Sequence, residues 1–235
     1  MEPESILRLS NLTVRYGEFV AVDGLDLALR PGELFGLLGP NGAGKSSTLR
    51  VLIGQRRPGG GRVTVAGIDV VRDWQRVKPL FGYVPDRENH FEEFTGRRNL
   101  ELFAGLYNVP PARVDECLAL VELSEAADLP VRAYSLGMRR KLLLARALLH
   151  RPPVLYLDEP TANLDPHSAA VVRGVLREHA GGGGAVLLTT HHLEEVEEVC
   201  GRVAVLCRGR LVAIRAPDRG GLRDEFLKLT TAESP

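Results

Sequence analysis

The chain has 235 residues, of which 44% are hydrophobic and 26% charged, a composition typical of a globular protein with an ample core. Its 30 basic and 30 acidic residues give a formal net charge of zero, so it lacks the basic surface that duplex nucleic acid requires, and no nucleic-acid partner is predicted. No apolar run approaches the roughly 18 residues of a membrane-spanning helix.

The cysteines and the amino-terminal residues bear on the cellular compartment. The first five residues lack the basic region of a secretory signal. Cys117, Cys200 and Cys207 are odd in number and have no C-x-x-C spacing, which indicates reduced thiols of a cytoplasmic chain and neither a disulfide framework nor a metal site. We therefore expect any membrane role to depend on a partner protein.

The first thirty residues alternate between apolar and polar side chains, with turn residues at Gly17 and at Pro31-Gly32. This period predicts antiparallel strands with one covered face. A further strand is predicted from Arg62 to Ala66, directly after the turn sequence Pro58-Gly59-Gly60-Gly61.

A glycine-rich segment follows the apolar run Leu34–Leu38 and reads Gly-Pro-Asn-Gly-Ala-Gly-Lys-Ser from Gly39 to Ser46. It is a complete phosphate-binding loop of the G-x-x-x-x-G-K-[ST] type between a strand and a helix. Its glycines let backbone N–H groups face a polyphosphate, Lys45 adds a charge for the β- and γ-phosphates, and Ser46 offers a hydroxyl to Mg²⁺. The predicted ATP-binding residues of this segment are Gly39, Pro40, Asn41, Gly42, Ala43, Gly44, Lys45, Ser46 and Ser47.

The spacing of apolar residues changes in the middle of the chain. Between about residues 86 and 150 the apolar side chains recur at helical spacing, which predicts a mostly helical insertion. Two short apolar runs follow, Val154–Leu157 and Ala185–Thr189, and they are typical of parallel strands buried on both faces.

The last third of the chain contains two predicted helices and a predicted hairpin. A helix is predicted to begin at Asp165-Pro166 and to end at Gly181–Gly184. A hairpin is predicted over Val203–Ile214, and a short helix with the stripe Leu222, Phe226 and Leu229 lies in the tail of residues 215–235. The predicted fold class is therefore α/β: a phosphate-loop NTPase core with a parallel sheet, an amino-terminal antiparallel region and a helical insertion.

An acidic pair, Asp158 and Glu159, directly follows the run Val154–Leu157. An aspartate at the carboxyl end of a parallel strand beside a phosphate loop is placed to hold Mg²⁺. The next carboxylate can accept a proton from a water that attacks the γ-phosphate. Two solvated acids at a strand end are the alternative, and the presence of Gly39–Ser46 favours catalysis.

The segment Tyr134–Met138 reads Tyr-Ser-Leu-Gly-Met and precedes a long helical run. With it the chain resembles the ATP-binding-cassette (ABC) family, whose signature Leu-Ser-Gly-Gly-Gln stands at this place, shortly before the acidic strand. The resemblance covers nearly the whole chain and implies one nucleotide-binding domain over residues 1–235. Its short matches are Tyr16, Gly39–Ser46, Phe81–Asp86, Ser135, Gly137, Asp158, Glu159, Asn163–Asp165 and Thr190-His191.

The resemblance implies a role for each matched position. Tyr16 would stack on adenine, and His191 would bond the γ-phosphate and the attacking water beside the catalytic Glu159. Asp165 would lie in the loop that crosses to the partner subunit. The implied metal site comprises Ser46, Asp158 and Asp86.

Three positions depart from the family pattern. Leu136 replaces the first signature glycine and Met138 replaces the glutamine. Tyr-Ser-x-Gly-Met resembles the members that serve drug- and antibiotic-exporter (ABC-2-type) membrane subunits. Asp86 stands where the family normally carries a glutamine, and its shorter, charged side chain is expected either to approach the Mg²⁺ or to be held off by the γ-phosphate.

The resemblance also implies how the chain works. One copy supplies the phosphate loop and the acidic pair, and a second copy, a homodimer partner facing it head-to-tail, supplies Ser135, Gly137 and Met138 to the same ATP. ATP would join the copies and hydrolysis would release them. A separate transmembrane permease, contacted through residues such as Phe91 and Phe94, would hold the chain peripherally on the cytoplasmic face of the membrane.

Several function classes compete with the ATPase of an exporter. A soluble ABC-type ATPase acting on ribosomes, nucleic acid or cluster assembly is the main alternative, although this chain has one cassette, no charge bias and no long heptad run. A small-molecule kinase gives no reason for Tyr134–Met138. An importer remains open, but the exporter-type signature and the short tail favour export.

Overall fold

The structure is a computed structural model that describes residues 5–217 together with Leu222, Arg223 and Phe226. Within these residues its strands are β1 (Leu7–Tyr16), β2 (Phe19–Leu29), β3 (Leu34–Leu38), β4 (Gly60–Val65), β5 (Ile68–Asp69), β6 (Phe81–Val84), β7 (Val154–Asp158), β8 (Ala185–Thr190), β9 (Arg202–Cys207) and β10 (Arg210–Arg215). Its α-helices in the same residues are α1 (Lys45–Leu52), α2 (Trp74–Val77), α3 (Gly96–Tyr107), α4 (Ala112–Leu120), α5 (Leu136–Leu148), α6 (Pro166–Gly181) and α7 (Leu193–Val199).

The alternating amino-terminal sequence forms an antiparallel sheet with the strand order β2-β1-β4-β5. The turn between β1 and β2 falls at Gly17, as predicted, and its φ of 60° lies in the left-handed region that glycine adopts without strain. The predicted strand at Arg62–Ala66 is also confirmed, but it begins two residues earlier, at Gly60, because Gly60 already pairs with Thr13 of β1.

The second sheet has the strand order β10-β9-β3-β8-β7-β6. All neighbours in it are parallel except β9 and β10, which form the predicted carboxyl-terminal hairpin. The parallel strands β7 and β8 are buried along their whole length, which confirms the prediction made from their continuous apolar sequences.

Alternate residues of this sheet belong to two different apolar clusters. Phe35 of β3 and Tyr156 of β7 pack with the amino-terminal antiparallel sheet and α1. Leu155 and Leu157 of β7 pack on the other face, in a cluster that also contains residues of α3, α4, α5 and α6. The helices between β6 and β7 therefore share a core with the sheet.

The three main helices of the predicted helical insertion are present. Helix α5 begins at Leu136, earlier than its apolar run suggests, because the Ser135 side chain caps it. Helix α6 begins at the predicted Asp165-Pro166, with Asp165 as its capping residue and Pro166 in its first turn. Leu229, part of the predicted final helix, lies outside the described residues.

Two observations on the described residues concern the cysteines and the helices. Cys117 and Cys200 are buried thiols, and Cys207 is partly buried. Among the described residues, no helix combines the length and apolar character needed to cross a bilayer.

A histidine in the loop before α3 makes stability depend on pH. The Nε2 of His90 donates a hydrogen bond to the backbone oxygen of Arg139 at 2.9 Å. Burial, together with the charges of Arg146, Arg139 and Arg140, lowers the pKa of His90 to about 4, against a hydrogen bond that acts in the opposite direction. The imidazole therefore stays neutral in the folded chain well below the pH at which an unfolded histidine takes up a proton.

We expect His90 to destabilise the chain as the pH falls. The unfolded state binds the extra proton between about pH 6.5 and 4, so the stability that the neutral ring contributes is present above 6.5 and is lost across that range. Urea titrations at pH 7 and pH 5 give the decrease in the free energy of unfolding for each protein. This decrease should be about 1 kcal/mol smaller in His90→Gln than in the wild type, a figure already reduced for the partial exposure of the ring. Equal decreases in both proteins would contradict this assignment.

Candidate functional site

The segment Gly39–Ser46, called the phosphate loop below, connects β3 to α1 over the end of the parallel sheet. Gly44 has a φ of 106°, and a Cβ there would lie 2.5 Å from the backbone oxygen of Ala21. A Cβ at Gly39 would overlap the backbone oxygen of Leu206. These two positions require glycine because the loop runs against neighbouring backbone, and the loop then ends at the amino terminus of α1, where N–H groups favour an anion.

Lys45, the first residue of α1, lies inside the loop with 6% of its surface exposed. Its Nζ donates hydrogen bonds to the backbone oxygens of Gly39 at 2.6 Å and Pro40 at 3.1 Å. Burial lowers the pKa of Lys45, while the negative charges of Glu159 and Asp158 raise it. The ammonium group thus lies between the loop and both predicted acidic residues.

A cavity of about 420 Å³ lies over the loop and brings together most of the residues predicted from the sequence. It contains parts contributed by the antiparallel sheet, the loop, α1 and the ends of β6 and β7. Its lining residues are Tyr16, Phe19, Ala21, Asn41, Gly42, Ala43, Gly44, Lys45, Ser46, Ser47, Arg50, Asp86, Asp158 and Glu159. Sequence reasoning did not identify Phe19, Ala21 and Arg50.

Tyr16 ends β1 at the rim of this cavity. Its hydroxyl accepts a hydrogen bond from Arg50 at 3.2 Å, and the guanidinium carbon of Arg56 lies 4.1 Å from the centre of its ring. One face of the ring is therefore covered by a cation. Phe19 is the cross-strand partner of Tyr16 and is 64% exposed, a position that the hairpin around Gly17 alone could have indicated.

Asp158 is 7% exposed at the carboxyl end of β7. The hydroxyl of Thr189, on the neighbouring strand β8, donates to its Oδ1. Burial raises the pKa of Asp158 most, hydrogen bonds from Thr189 and Ser46 lower it, and the charges of Asp86 and Glu159 raise it further. The predicted metal residues Ser46, Asp86 and Asp158 are thus close enough to interact, and all of them offer oxygen, the ligand that a hard cation such as Mg²⁺ prefers.

Glu159 and His191 are in direct contact. The Nδ1 of His191 donates to Oε1 of Glu159 at 2.7 Å, and the Thr190 hydroxyl donates to Oε2 at 3.0 Å. The backbone of Glu159 has a φ of 49°, in the left-handed region that non-glycine residues adopt at a cost. Both oxygens of this carboxylate are therefore oriented by the last residue of β8 and the residue that follows it.

The segment Tyr134–Met138, called the signature segment below, lies elsewhere in the chain. The Oγ of Ser135 accepts from the backbone N–H of Met138 at 3.2 Å. A Cβ at Gly137 would overlap the hydroxyl of Ser168 and lie 3.0 Å from Oδ2 of Asp165. In the described part of the chain the signature segment packs against the start of α6, and none of its residues lines the nucleotide cavity.

Comparison with known proteins identifies the family. Residues 22–162 match the family model described as ABC transporter. Among curated relatives, the chain is 41% identical over 216 residues to a "Nod factor export ATP-binding protein I" of Ralstonia nicotianae, covering 90% of this chain and 67% of that protein. It is 42% identical over 238 residues to the "Daunorubicin resistance ATP-binding protein DrrA2" of Streptomyces coeruleorubidus, covering 97% of this chain and 74% of that protein.

Further comparisons agree in family and fold. The chain is 45% identical over 203 residues to the protein DrrA3 of the same organism, but these residues make up only 64% of DrrA3. A solved ATP-binding subunit of an ABC transporter superposes with a TM-score of 0.87 at 26% identity, covering 96% of this chain and all of that one. The chain therefore belongs to the ABC transporter family, as an ATP-binding subunit that hydrolyses ATP.

Proposed function

We propose that this chain cleaves Mg-ATP as one half of a head-to-tail dimer and thereby drives export through a separate transmembrane permease. The observation that carries the proposal is the separation of two sets of residues within one chain. The phosphate loop and the acidic pair line the cavity, whereas no residue of the signature segment does, and Gly137 lies against the start of α6. A second copy turned end for end can bring its own signature segment to the cavity.

We assign the nucleotide to the cavity over the phosphate loop. Backbone N–H groups of Asn41–Ser47 and the ammonium group of Lys45 would bind the phosphates, and Tyr16 would stack on adenine. Ser46, Asp158 and Asp86 fit a magnesium site because they provide only oxygen ligands, and bound Mg²⁺ would neutralise phosphate charge.

The proposed chemistry assigns proton transfer to Glu159. Its carboxylate takes a proton from the attacking water, while His191 and Thr190 keep both oxygens in a fixed orientation. Phosphoryl transfer needs charge neutralisation and positioning more than covalent chemistry, so the remaining residues act by binding and orienting.

The second copy would supply Ser135, Gly137 and Met138. Ser135 caps α5 and accepts a hydrogen bond from the N–H of Met138, and the other first-turn N–H groups of the helix suit an anion such as the γ-phosphate. Asp165 packs beside Gly137 and would lie at the same dimer surface. A homodimer is the simplest form of this assembly, because one sequence contains both halves.

The proposed permease contact lies on the insertion of residues 86–150, which we assign to one nucleotide-binding domain with the rest of the chain. Phe91 and Phe94 are 48% and 41% exposed, and Leu106 of α3 is 75% exposed. Such apolar exposure favours a protein partner. The names of the relatives refer to export and drug resistance, which supports an exporter located at the cytoplasmic face of the membrane through its permease.

The concentration dependence of ATP hydrolysis tests the proposal. If two copies complete each site, the ATPase activity per chain should rise with protein concentration and approach a plateau as dimers form. An activity per chain that stays constant over a hundredfold dilution into saturating Mg-ATP would contradict the dimer. Co-purification with a polytopic membrane protein separates a transporter subunit from a soluble ABC-type ATPase, an alternative that the relatives do not favour.

A further inference from the structure

Glu195, on the first turn of α7, is a buried acid that the proposed chemistry does not use. Only 5% of its surface is exposed. Its Oε1 accepts a hydrogen bond from the hydroxyl of Thr161 at 2.6 Å, and its Oε2 has no hydrogen-bond partner among the described residues. Burying a carboxyl group with an unpaired oxygen costs free energy, and this one lies beside the proposed catalytic base.

The neighbours of Glu195 connect it to Glu159 from two sides. Thr161 is two residues after Glu159 in the chain, and Thr190 donates to Oε2 of Glu159 while it accepts from the backbone N–H of His192 at 3.1 Å. The Thr190 hydroxyl also lies beside Glu195, but its one proton is donated to Glu159, so Oε2 of Glu195 has no donor of its own among the described residues. Burial raises the pKa of Glu195 most, the hydroxyls of Thr161 and Thr190 lower it, and the charge of Glu159 raises it.

The segment that Thr161 belongs to is under backbone strain. Glu159 has a φ of 49° and Asn163 a φ of 60°, so a left-handed residue lies on each side of Thr161. The left-handed conformation is unfavourable for a glutamate, less so for an asparagine, and persists at Glu159 only where the surroundings enforce it. The bond from Thr161 to Glu195 fixes the middle of this segment to α7, and the segment ends at Asp165, where α6 begins.

We propose that Glu195 is a positioning residue that, through Thr161, holds the strained segment between Glu159 and Asp165 and so couples the dimer surface to the catalytic base. The inference rests on the proposed function, since it gives a role to Glu159 and to a second copy at Asp165. When a second copy contacts Asp165 and displaces it, the segment held at Thr161 transmits the displacement to Glu159. A segment without this contact would change conformation locally and leave Glu159 in place.

Substitutions at both ends of the contact test this role. Glu195→Ala removes the acceptor, and Thr161→Val removes the donor with little change in shape. Each should lower kcat for ATP by at least about tenfold and leave KM within about twofold, since displacement of a catalytic group by 1 Å can cost up to about a hundredfold. Glu195→Gln keeps an oxygen acceptor and should stay within about threefold of wild-type kcat.

The controls separate positioning from folding. Glu194→Ala changes the neighbouring exposed acid, which pairs with Arg223 at 3.0 Å, and should leave kcat unchanged. The double variant Glu195→Ala/Thr161→Val should be no slower than the slower single variant, because both remove one interaction. Full additivity, or a Glu195→Ala enzyme with kcat within twofold of wild type, would overturn the inference.

The two proposals fail in different ways. If the ATPase activity per wild-type chain does not depend on protein concentration, the dimer mechanism is wrong, whatever the role of Glu195. If the wild type keeps that dependence while Thr161→Val has normal kcat, only the role of Glu195 is wrong. Thr161→Val also guards against a Glu195→Ala chain that does not fold, because Thr161 is only partly buried.

Discussion

Glu159→Gln should bind Mg-ATP like the wild type but hydrolyse it about 10²- to 10⁴-fold more slowly, the usual contribution of a general base. The amide has nearly the shape of the carboxylate but cannot take a proton from water. It also keeps one oxygen that can accept from Thr190 or His191, both of which contact the carboxylate. Binding of a fluorescent ATP analogue and steady-state phosphate release measure the two effects separately.

The same variant should accumulate a dimer in the presence of Mg-ATP, because the complex forms but is not cleaved. Light scattering after size exclusion should give twice the mass of a chain with ATP and the mass of one chain without it. Glu159→Gln/Ser135→Arg is the matched control and should stay monomeric. A monomeric Glu159→Gln chain in saturating Mg-ATP would rule out the head-to-tail dimer.

The parts of the fold that the sequence predicted correctly are those with local causes. Gly44 must be glycine because of its own φ and the adjacent Ala21 oxygen. The phosphate loop can therefore be predicted from the eight consecutive residues Gly39–Ser46. The start of α6 likewise needs only Asp165 and Pro166. Strands β7 and β8 were predictable because burial on both faces demands an unbroken apolar run.

The contacts that sequence reasoning missed join residues far apart in the chain. Thr161 and Glu195 are separated by 34 positions, and in the sequence Glu195 is one of several acids in a charged helix. Nothing in its immediate neighbours distinguishes it from the exposed Glu194, since burial is decided by how α7 packs. Arg56 beside Tyr16 is a similar case, because the pair depends on the approach of the turn after α1 to the end of β1.

The Lys45→Ala and Ser135→Arg variants, each assayed alone, should have lost most of their ATPase activity, for different reasons. The first removes the buried ammonium group from the phosphate loop. The second replaces the capping hydroxyl of α5 with a long cation at the surface proposed to face the partner. In a head-to-tail homodimer of either variant, both sites carry the defect, so activity should fall by at least about a hundredfold.

A mixture of these two inactive variants should regain activity. In a mixed dimer, one site combines the intact Lys45 of one chain with the intact Ser135 of the other, and the second site carries both defects. If the variants paired at random, half of the dimers would be mixed, each with one working site, so about a quarter of wild-type activity is the upper bound; weaker pairing of Ser135→Arg chains lowers it. Lys45→Ala mixed with Glu159→Gln is the control: both defects lie on the cavity side, no pairing repairs a site, and activity should stay low. If the mixture of Lys45→Ala and Ser135→Arg is also inactive, the signature residues of each site do not come from a second copy.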